Sequence, residues 1–278
     1  CVITPVSHDH ADFLGDTIES IAFEKGGIFK RGAQGVIGYQ SDEALRVLEG
    51  CARRAGAPCI FAERDFNVRE ENGRLIFDDE RGLLDLAAPK LPGRHQYQNA
   101  ATAIATLRAI APEIPNAAFD AGMKNVDWPA RLQRVSRGRL VALAPAGSEI
   151  WIDGGHNEDG ARVAAEAMGE RAARSDAPLV LICGLLANKD ARGYLAHFTD
   201  LANRVIAVPP PGDQYGRAPA NVGEVARDLG LFASEAATIE EALAQVAKSH
   251  WREPPRILIC GSLYLAGAAL ALNGSEIA

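Results

Sequence analysis

No lysine in this sequence follows a glycine. That excludes the G-x-x-x-x-G-K-[ST] loop, whose backbone N–H groups and lysine cradle nucleotide phosphates, from anywhere within these 278 residues. No run approaches the eighteen or more consecutive apolar residues of a membrane-spanning helix. No basic segment followed by an apolar one opens the chain. Basic side chains are in deficit, 29 against 36 acidic ones, for a net charge of −7. Nucleic acid and anionic membrane are therefore not expected as partners, although a local basic patch around a bound phosphate is compatible with that total. The five cysteines form no C-x-x-C pair, and there is no H-E-x-x-H, so no zinc pattern is present. All five are expected to be reduced, in a cytoplasm, with Cys183 and Cys260 as small buried hydrophobes at the ends of apolar runs. The first residue is Cys1, and Val2-Ile3-Thr4 reads as the end of a strand, so the chain is expected to begin inside a domain.

What is present divides into two halves. The first mixes short strands with helices: strands at Val2 to Thr4, Gly35 to Tyr39, Ile60-Phe61, Phe66 to Arg69 and Arg74 to Phe77; helices at Thr17 to Glu24, Asp42 to Ala55 and Gln98 to Ile110. Asn72-Gly73 is a hairpin signal, and Gly56 a helix stop. The second half alternates more cleanly. Apolar runs at 150–152, 179–183, 204–208 and 256–260 are separated by helical stretches at 159–174, 191–202, 222–229 and 239–249. Thr238 and Glu241 stand at capping-box spacing ahead of the last of these. This rhythm predicts an α/β fold with an open parallel sheet covered by helices on both faces. The expected boundary gives domains 1–136 and 137–278. Ligands of such sheets sit outside the carboxyl ends of the strands, and Asp153, Gly184 and Gly261 each follow a strand directly.

Several side chains carry chemistry in principle and a plainer reading beside it. His8-Asp9-His10 lies in a loop after the first strand: imidazole and carboxylate are metal-capable, but a polar loop leading into a helix has the same composition. Lys25 stands in the last turn of a helix ahead of Gly26-Gly27, where a lysine is ordinarily solvated and matched to the helix dipole and glycine is an ordinary stop. Neither feature decides a function alone.

Their order does. Asp9-His10, Leu14-Gly15 and Glu24-Lys25-Gly26-Gly27-Ile28 resemble a D-H-x-x-x-L-G … E-K-[AG]-G-I block of the folylpolyglutamate/dihydrofolate synthase family, within the Mur ligase superfamily. Gly93-Arg94-His95-Gln96 through Asn99-Ala100 resembles G-x-H-Q-x-x-N-A. Trp128-Pro129-Ala130-Arg131-Leu132-Gln133 resembles W-P-G-R-L-E, and Asp153-Gly154-Gly155-His156-Asn157 resembles D-G-A-H-N. Cys183-Gly184-Leu185 to Lys189-Asp190 resembles a stretch ending in D-K-D, and Cys260 to Leu265 resembles T-G-S-L-Y-L. Gly26 and Gly155 stand where alanine is common, Gln133 for Glu, Asn188 for the first Asp of D-K-D, and Glu158-Asp159 for the usual proline. The resemblance implies the C-terminal part of a P-loop-type ATP-binding domain, its phosphate loop missing, followed by a Rossmann-like Mur ligase C-terminal domain.

It also implies roles. His10 and Lys25 would hold Mg²⁺, Lys25 as a carbamate whose formation partial burial would favour. Asn99 would contact ATP, Arg131 its phosphates and Asp153 its ribose. His156 would lie near the phosphates or the incoming amino acid, and Ser262 and Lys189 would help bind glutamate. The implied reaction is ATP-dependent ligation of L-glutamate to dihydropteroate or a folate through an acyl phosphate, by a cytoplasmic monomer, with closure about the stretch from Trp128 to Arg137. Without the phosphate loop the chain alone is expected to be inactive. Three alternatives remain at this level. One is a Mur-type ligase acting on a UDP-linked sugar acid. Another is a nicotinamide enzyme, disfavoured by the lack of G-x-G-x-x-G after Asp153. The third is a non-catalytic protein derived from such a ligase.

Overall fold

The computed structural model describes residues 1–8, 15, 17–212 and 215–274. The chain divides into two compact units, Cys1–Asp127 and Trp128–Ala278.

In the first unit, strands β1 (Val2–Ile3), β2 (Gly35–Ile37) and β3 (Cys59–Phe61) form a parallel sheet in that order. Helices α1 (Ile18–Gly26) and α2 (Asp42–Ala55) pack against it, burying Ile21, Ala22, Leu48 and Ala52 with Ile3 and Ile37. Both helices start where a hydroxyl is available to accept an orphan N–H: Thr17 Oγ1 from Ser20 and Ser41 Oγ from Ala44. Gly56 ends α2 in the left-handed region (φ 66°), the conformation that favours glycine. Beside them lies an antiparallel meander of β4 (Phe66–Glu71), β5 (Arg74–Asp79) and β6 (Leu84–Ala87). The Asn72-Gly73 hairpin joins β4 to β5 with both residues at positive φ. Leu75 and Phe77, on one face of β5, pack with Phe66 against α3 (His95–Ile110) and α4 (Asn116–Asn125), through Ala101, Ile104 and Phe119.

The second unit is the expected open sheet. Six strands run in the order β11-β10-β9-β12-β8-β7: β7 (Gln133–Val135), β8 (Glu149–Ile152), β9 (Leu179–Cys183), β10 (Ala202–Ala207), β11 (Ala233–Glu235) and β12 (Arg256–Cys260). All pairs are parallel except β7 with β8. Side chains alternate between the two faces. Trp151, Leu181, Cys183, Val205, Leu258 and Cys260 meet α6 (Glu158–Ala172), α7 (Ala191–Ala196) and α8 (Pro219–Asp228) on one face. Ile150, Ile152, Val180, Ile182, Ile257 and Ile259 meet α5 (Arg139–Leu143), α9 (Ile239–Lys248) and α10 (Leu263–Leu272) on the other. Continuous Val/Ile/Leu runs in the sequence are the signature of strands buried on both faces.

Three expectations are corrected. The boundary falls before Trp128 and not after residue 136, because β7 pairs with β8 and so belongs to the second unit. The helix expected over 191–202 stops at Ala196, with Ala202 already opening β10. The Thr238 cap forms, but Glu241 Oε2 accepts the N–H of Ala237 and not of Thr238. The five cysteines are free thiols, with Cys51, Cys183 and Cys260 buried.

Candidate active site

Asp153 follows β8, Gly184 follows β9 and Gly261 follows β12, three neighbours at the carboxyl edge of the large sheet. Backbone hydrogen bonds continue past the strand ends, from Asp153 N to Ile259 O (2.9 Å) and from Gly184 N to Cys260 O (3.1 Å). The approach is close enough to require glycine. Gly261 has φ of 100°, and a Cβ there would lie 2.9 Å from Gly184 O. The expected clustering of these three points is therefore present within this unit.

Asp153 is the hinge pin of the edge. Its Oδ1 accepts the N–H of Gly155 at 2.7 Å and its Oδ2 that of Leu132 at 2.9 Å. The second bond spans from β8 back to the residue just before β7. Gly154 N–H adds a bond to Ala130 O (2.8 Å). Burial pushes the Asp153 carboxyl above the usual carboxylate range; the two N–H donors, Arg131 and His156 oppose that shift. The loop then enters α6 through Asn157, whose Oδ1 accepts the N–H of Gly160 (2.9 Å). A side chain at position 155 would crowd Asp153 Oδ1 at 2.7 Å, so this turn, as built here, suits glycine.

His156 stands half-buried in the same turn, Nδ1 3.1 Å from Gly154 O. Arg131 is exposed between Ala130 and Leu132, both buried and both at positive φ (58° and 45°). Ala130 N–H donates to Gln133 Oε1 at 3.0 Å. Thus Arg131, Asp153 and His156 belong to one hydrogen-bonded pair of turns. Within the stretch from Trp128 to Arg137, residues 130–133 are thus fastened to the second unit.

Lys189 and Ser262 lie at the same edge. Lys189 is buried, in the loop after β9. That loop is stitched to the one after β10: Ala187 N–H donates to Tyr215 O and Arg217 N–H to Leu185 O, both at 2.8 Å. The Arg217 guanidinium bonds the carbonyls of Ala187 (2.9 Å) and Lys189 (2.7 Å). Ser262 is buried as the N-cap of α10, its Oγ accepting the N–H of Tyr264 at 3.1 Å.

The remaining candidates belong to the first unit. Lys25 sits exposed in the last turn of α1, so the partial burial expected to favour a neutral amine is not found. The glycine after it serves packing: a Cβ on Gly26 would lie 2.7 Å from Cys51 Sγ on α2. Asn99 is exposed on α3, its Nδ2 donating to Gln96 Oε1 at 3.1 Å. His10 lies outside the described residues. Among the described residues no group of three or more His, Cys, Asp or Glu side chains is placed to hold a metal ion.

The left-handed turn around Arg131 was missed from sequence, though a signal existed. Ala130 occupies the glycine position of the W-P-G-R-L-E pattern, and glycine in such a pattern marks a position needing positive φ. Gln133, a departure from Glu in that pattern, closes the turn with its side chain.

Residues 131–263 match the Mur ligase, glutamate ligase domain. The folylpolyglutamate synthase of Lacticaseibacillus casei is 32% identical over 277 residues, covering 96% of this chain and 60% of the relative. The dihydrofolate synthase/folylpolyglutamate synthase of Bacillus subtilis is 36% identical over 186 residues, 63% of this chain and 40% of the relative. Among solved structures, Mycobacterium tuberculosis folylpolyglutamate synthase complexed with ADP and AMPPCP superposes with a TM-score of 0.83 at 28% identity, covering all of this chain and 64% of that one. Escherichia coli FolC in complex with DHPP and ADP gives 0.81 at 25% identity, covering 98% and 60%. The chain thus spans about 60% of the length of the Lacticaseibacillus casei relative. In sequence and in fold, it belongs to the folylpolyglutamate synthase/dihydrofolate synthase family of Mur-type ligases.

Proposed function

We propose that this chain serves an ATP-dependent ligase that adds L-glutamate to dihydropteroate, to folates, or to both. The reaction proceeds by phosphorylation of the pteroate or folate carboxylate to an acyl phosphate, from which the amino group of glutamate displaces phosphate. One observation carries the reading: a charged, exposed Arg131 is presented from a strained turn locked to the Asp153–His156 turn, at the carboxyl edge of the sheet. Such edges are where open α/β sheets bind ligands, and a guanidinium fork suits phosphate oxygens.

In this reading Arg131 neutralises charge on the transferred phosphoryl group, the largest contribution a protein makes to such transfers. Asp153 holds the ribose hydroxyls with the lone pairs its two backbone donors leave over. Asn99 offers its carboxamide to the nucleotide. His156 Nε2 faces the phosphates or the incoming amine, and Lys189 and Ser262 help place glutamate. His10 and Lys25, the latter as a carbamate, would hold Mg²⁺, which would supply further charge neutralisation. Relatives named for folylpolyglutamate and dihydrofolate synthesis, and a neighbour solved with DHPP and ADP, support the substrate class.

The test is ADP release with ATP, Mg²⁺, L-glutamate and dihydropteroate or folate. It is run on the 278-residue chain alone and on that chain joined to the part of the Lacticaseibacillus casei relative it does not span. No turnover is expected from the chain alone, which contains no Gly-Lys loop. Pteroate- or folate-dependent turnover is expected from the joined form, lost in Arg131→Ala. Turnover only with a UDP-linked sugar acid would overturn the substrate class.

A further inference from the structure

Arg131 stands between two residues that pay conformationally for its placement. Ala130 and Leu132 both carry a Cβ and both adopt left-handed backbone, φ 58° and 45°, a region L-residues avoid because Cβ crowds the following carbonyl. Such strain persists only where the surroundings over-determine it. The surroundings do so here in two ways. The side chains are anchored on opposite faces of the sheet, Leu132 in the core beneath α6 and Ala130 in the core beneath α9 and α10. The backbone is then tied at three points: Ala130 N–H to Gln133 Oε1, Ala130 O from Gly154 N–H, and Leu132 N–H to Asp153 Oδ2.

Two of those ties use side chains. Asp153 is already engaged with its own turn through Gly155. Gln133 sits on β7, opposite Ile152 in the β7–β8 register, so its backbone is fixed to the strand that Asp153 follows. Its carboxamide reaches back three residues and closes the loop on the Ala130 N–H. An acceptor at this point is what the turn needs; charge is not, since a glutamate at the same place would accept the same N–H.

We propose that Gln133 is a positioning residue for Arg131, fixing through Ala130 the left-handed turn from which the guanidinium is presented. The inference deepens the proposed function, because the value of a fixed Arg131 rests on its meeting nucleotide phosphate, but the mechanical part can be tested apart from that reading.

The experiment uses the 278-residue chain in four forms: wild type, Gln133→Leu, Gln133→Glu and Arg131→Ala. Amide hydrogen exchange is followed across residues 130–132, with thermal unfolding to confirm that each variant is folded. In Gln133→Leu, exchange at both Ala130 and Leu132 is expected to rise about tenfold, the loss of one ordinary hydrogen bond, while Gln133→Glu stays at the wild-type rate. Continued protection of Leu132 in Gln133→Leu would show that the turn holds without its acceptor and would overturn the proposal.

Binding of ATP with Mg²⁺ supplies the second readout, with the double variant Arg131→Ala/Gln133→Leu added. If Gln133 acts through Arg131, Gln133→Leu weakens ATP binding by about tenfold, Gln133→Glu restores it, and the double variant binds no more weakly than Arg131→Ala alone. Losses that add would mean that Gln133 acts elsewhere, and would overturn it. A wild-type chain that binds no nucleotide would follow from the absent Gly-Lys loop, and the exchange pattern then decides the role of Gln133 by itself.

Discussion

Two turns in this molecule use left-handed backbone in almost the same way and for different ends. In the β4–β5 hairpin, Asn72 and Gly73 have φ of 51° and 71°; both residue types tolerate that region, and a Cβ at Gly73 would meet nothing within 4 Å. Ahead of β7, Ala130 and Leu132 adopt 58° and 45° although neither is suited to it, and both are buried. The hairpin needs only to reverse the chain, so the sequence supplies residues for which the reversal is easy. The second turn has to carry an arginine at a fixed place while its neighbours anchor in two cores. There the conformation is imposed by contacts and hydrogen bonds.

The comparison can be broken first at Asp153. Asp153→Ala removes the acceptor of both Leu132 and Gly155, leaving two poorly solvated N–H groups. At about 1–3 kcal/mol for each unsatisfied buried donor, a loss on the order of 3 kcal/mol in unfolding free energy is expected, read by urea denaturation. A loss below about 0.5 kcal/mol, the range of an uninvolved surface site, would show that the turn is held by packing alone. The next pair sharpens the contrast. Ala130→Gly should stabilise the second unit by about 0.5–1 kcal/mol by relieving left-handed strain, whereas Gly73→Ala should destabilise the first by about the same amount. If Ala130→Gly is destabilising, its methyl contact in the core outweighs the strain, and the claim that the turn is strained fails.

Most of the fold was legible. Asp42 to Ala55 reads as a helix because apolar residues recur at helical spacing ahead of a glycine stop, and the structure has those bounds. The runs 179–183 and 256–260 read as strands for a comparable reason: short, apolar and bounded. The strand β7 and the helix α5 were not legible. Gln133–Val135 is three residues long with two of them polar, and its pairing with β8 is a tertiary fact with no local pattern. In the site, the ends of the apolar runs placed Asp153, Gly184 and Gly261 at one sheet edge, as found. The exposure of Lys25 was not readable, since a lysine beside two glycines has the same spacing whether its stem is covered or free. Nor was the dependence of Arg131 on Gln133, because a side chain bonding a backbone three residues earlier leaves no periodic trace.

The smallest effect separates the two halves of what Asp153 does, accepting hydrogen bonds and carrying charge. Burial raises its carboxyl pKa despite two N–H donors, Arg131 and His156. A carboxyl whose folded pKa lies above its unfolded value contributes stability that is fully present below the unfolded pKa and is lost as pH rises through the folded one. Asp153→Asn cannot titrate and keeps one oxygen acceptor, so it should carry a nearly constant penalty for its weakened hydrogen bonds. The stability deficit of Asp153→Asn relative to wild type should therefore shrink as pH is raised from the acidic side, where the Asp153 carboxyl is protonated, toward neutrality. Paired denaturation curves at several pH values measure it. A deficit that grows with pH would mean that the ionised carboxylate is favoured in the folded state, as two donors and a nearby arginine would make it in a wetter site. In that case the turn carrying Arg131 is held by charge as much as by burial, and the contrast with the Asn72-Gly73 hairpin rests on electrostatics more than on packing.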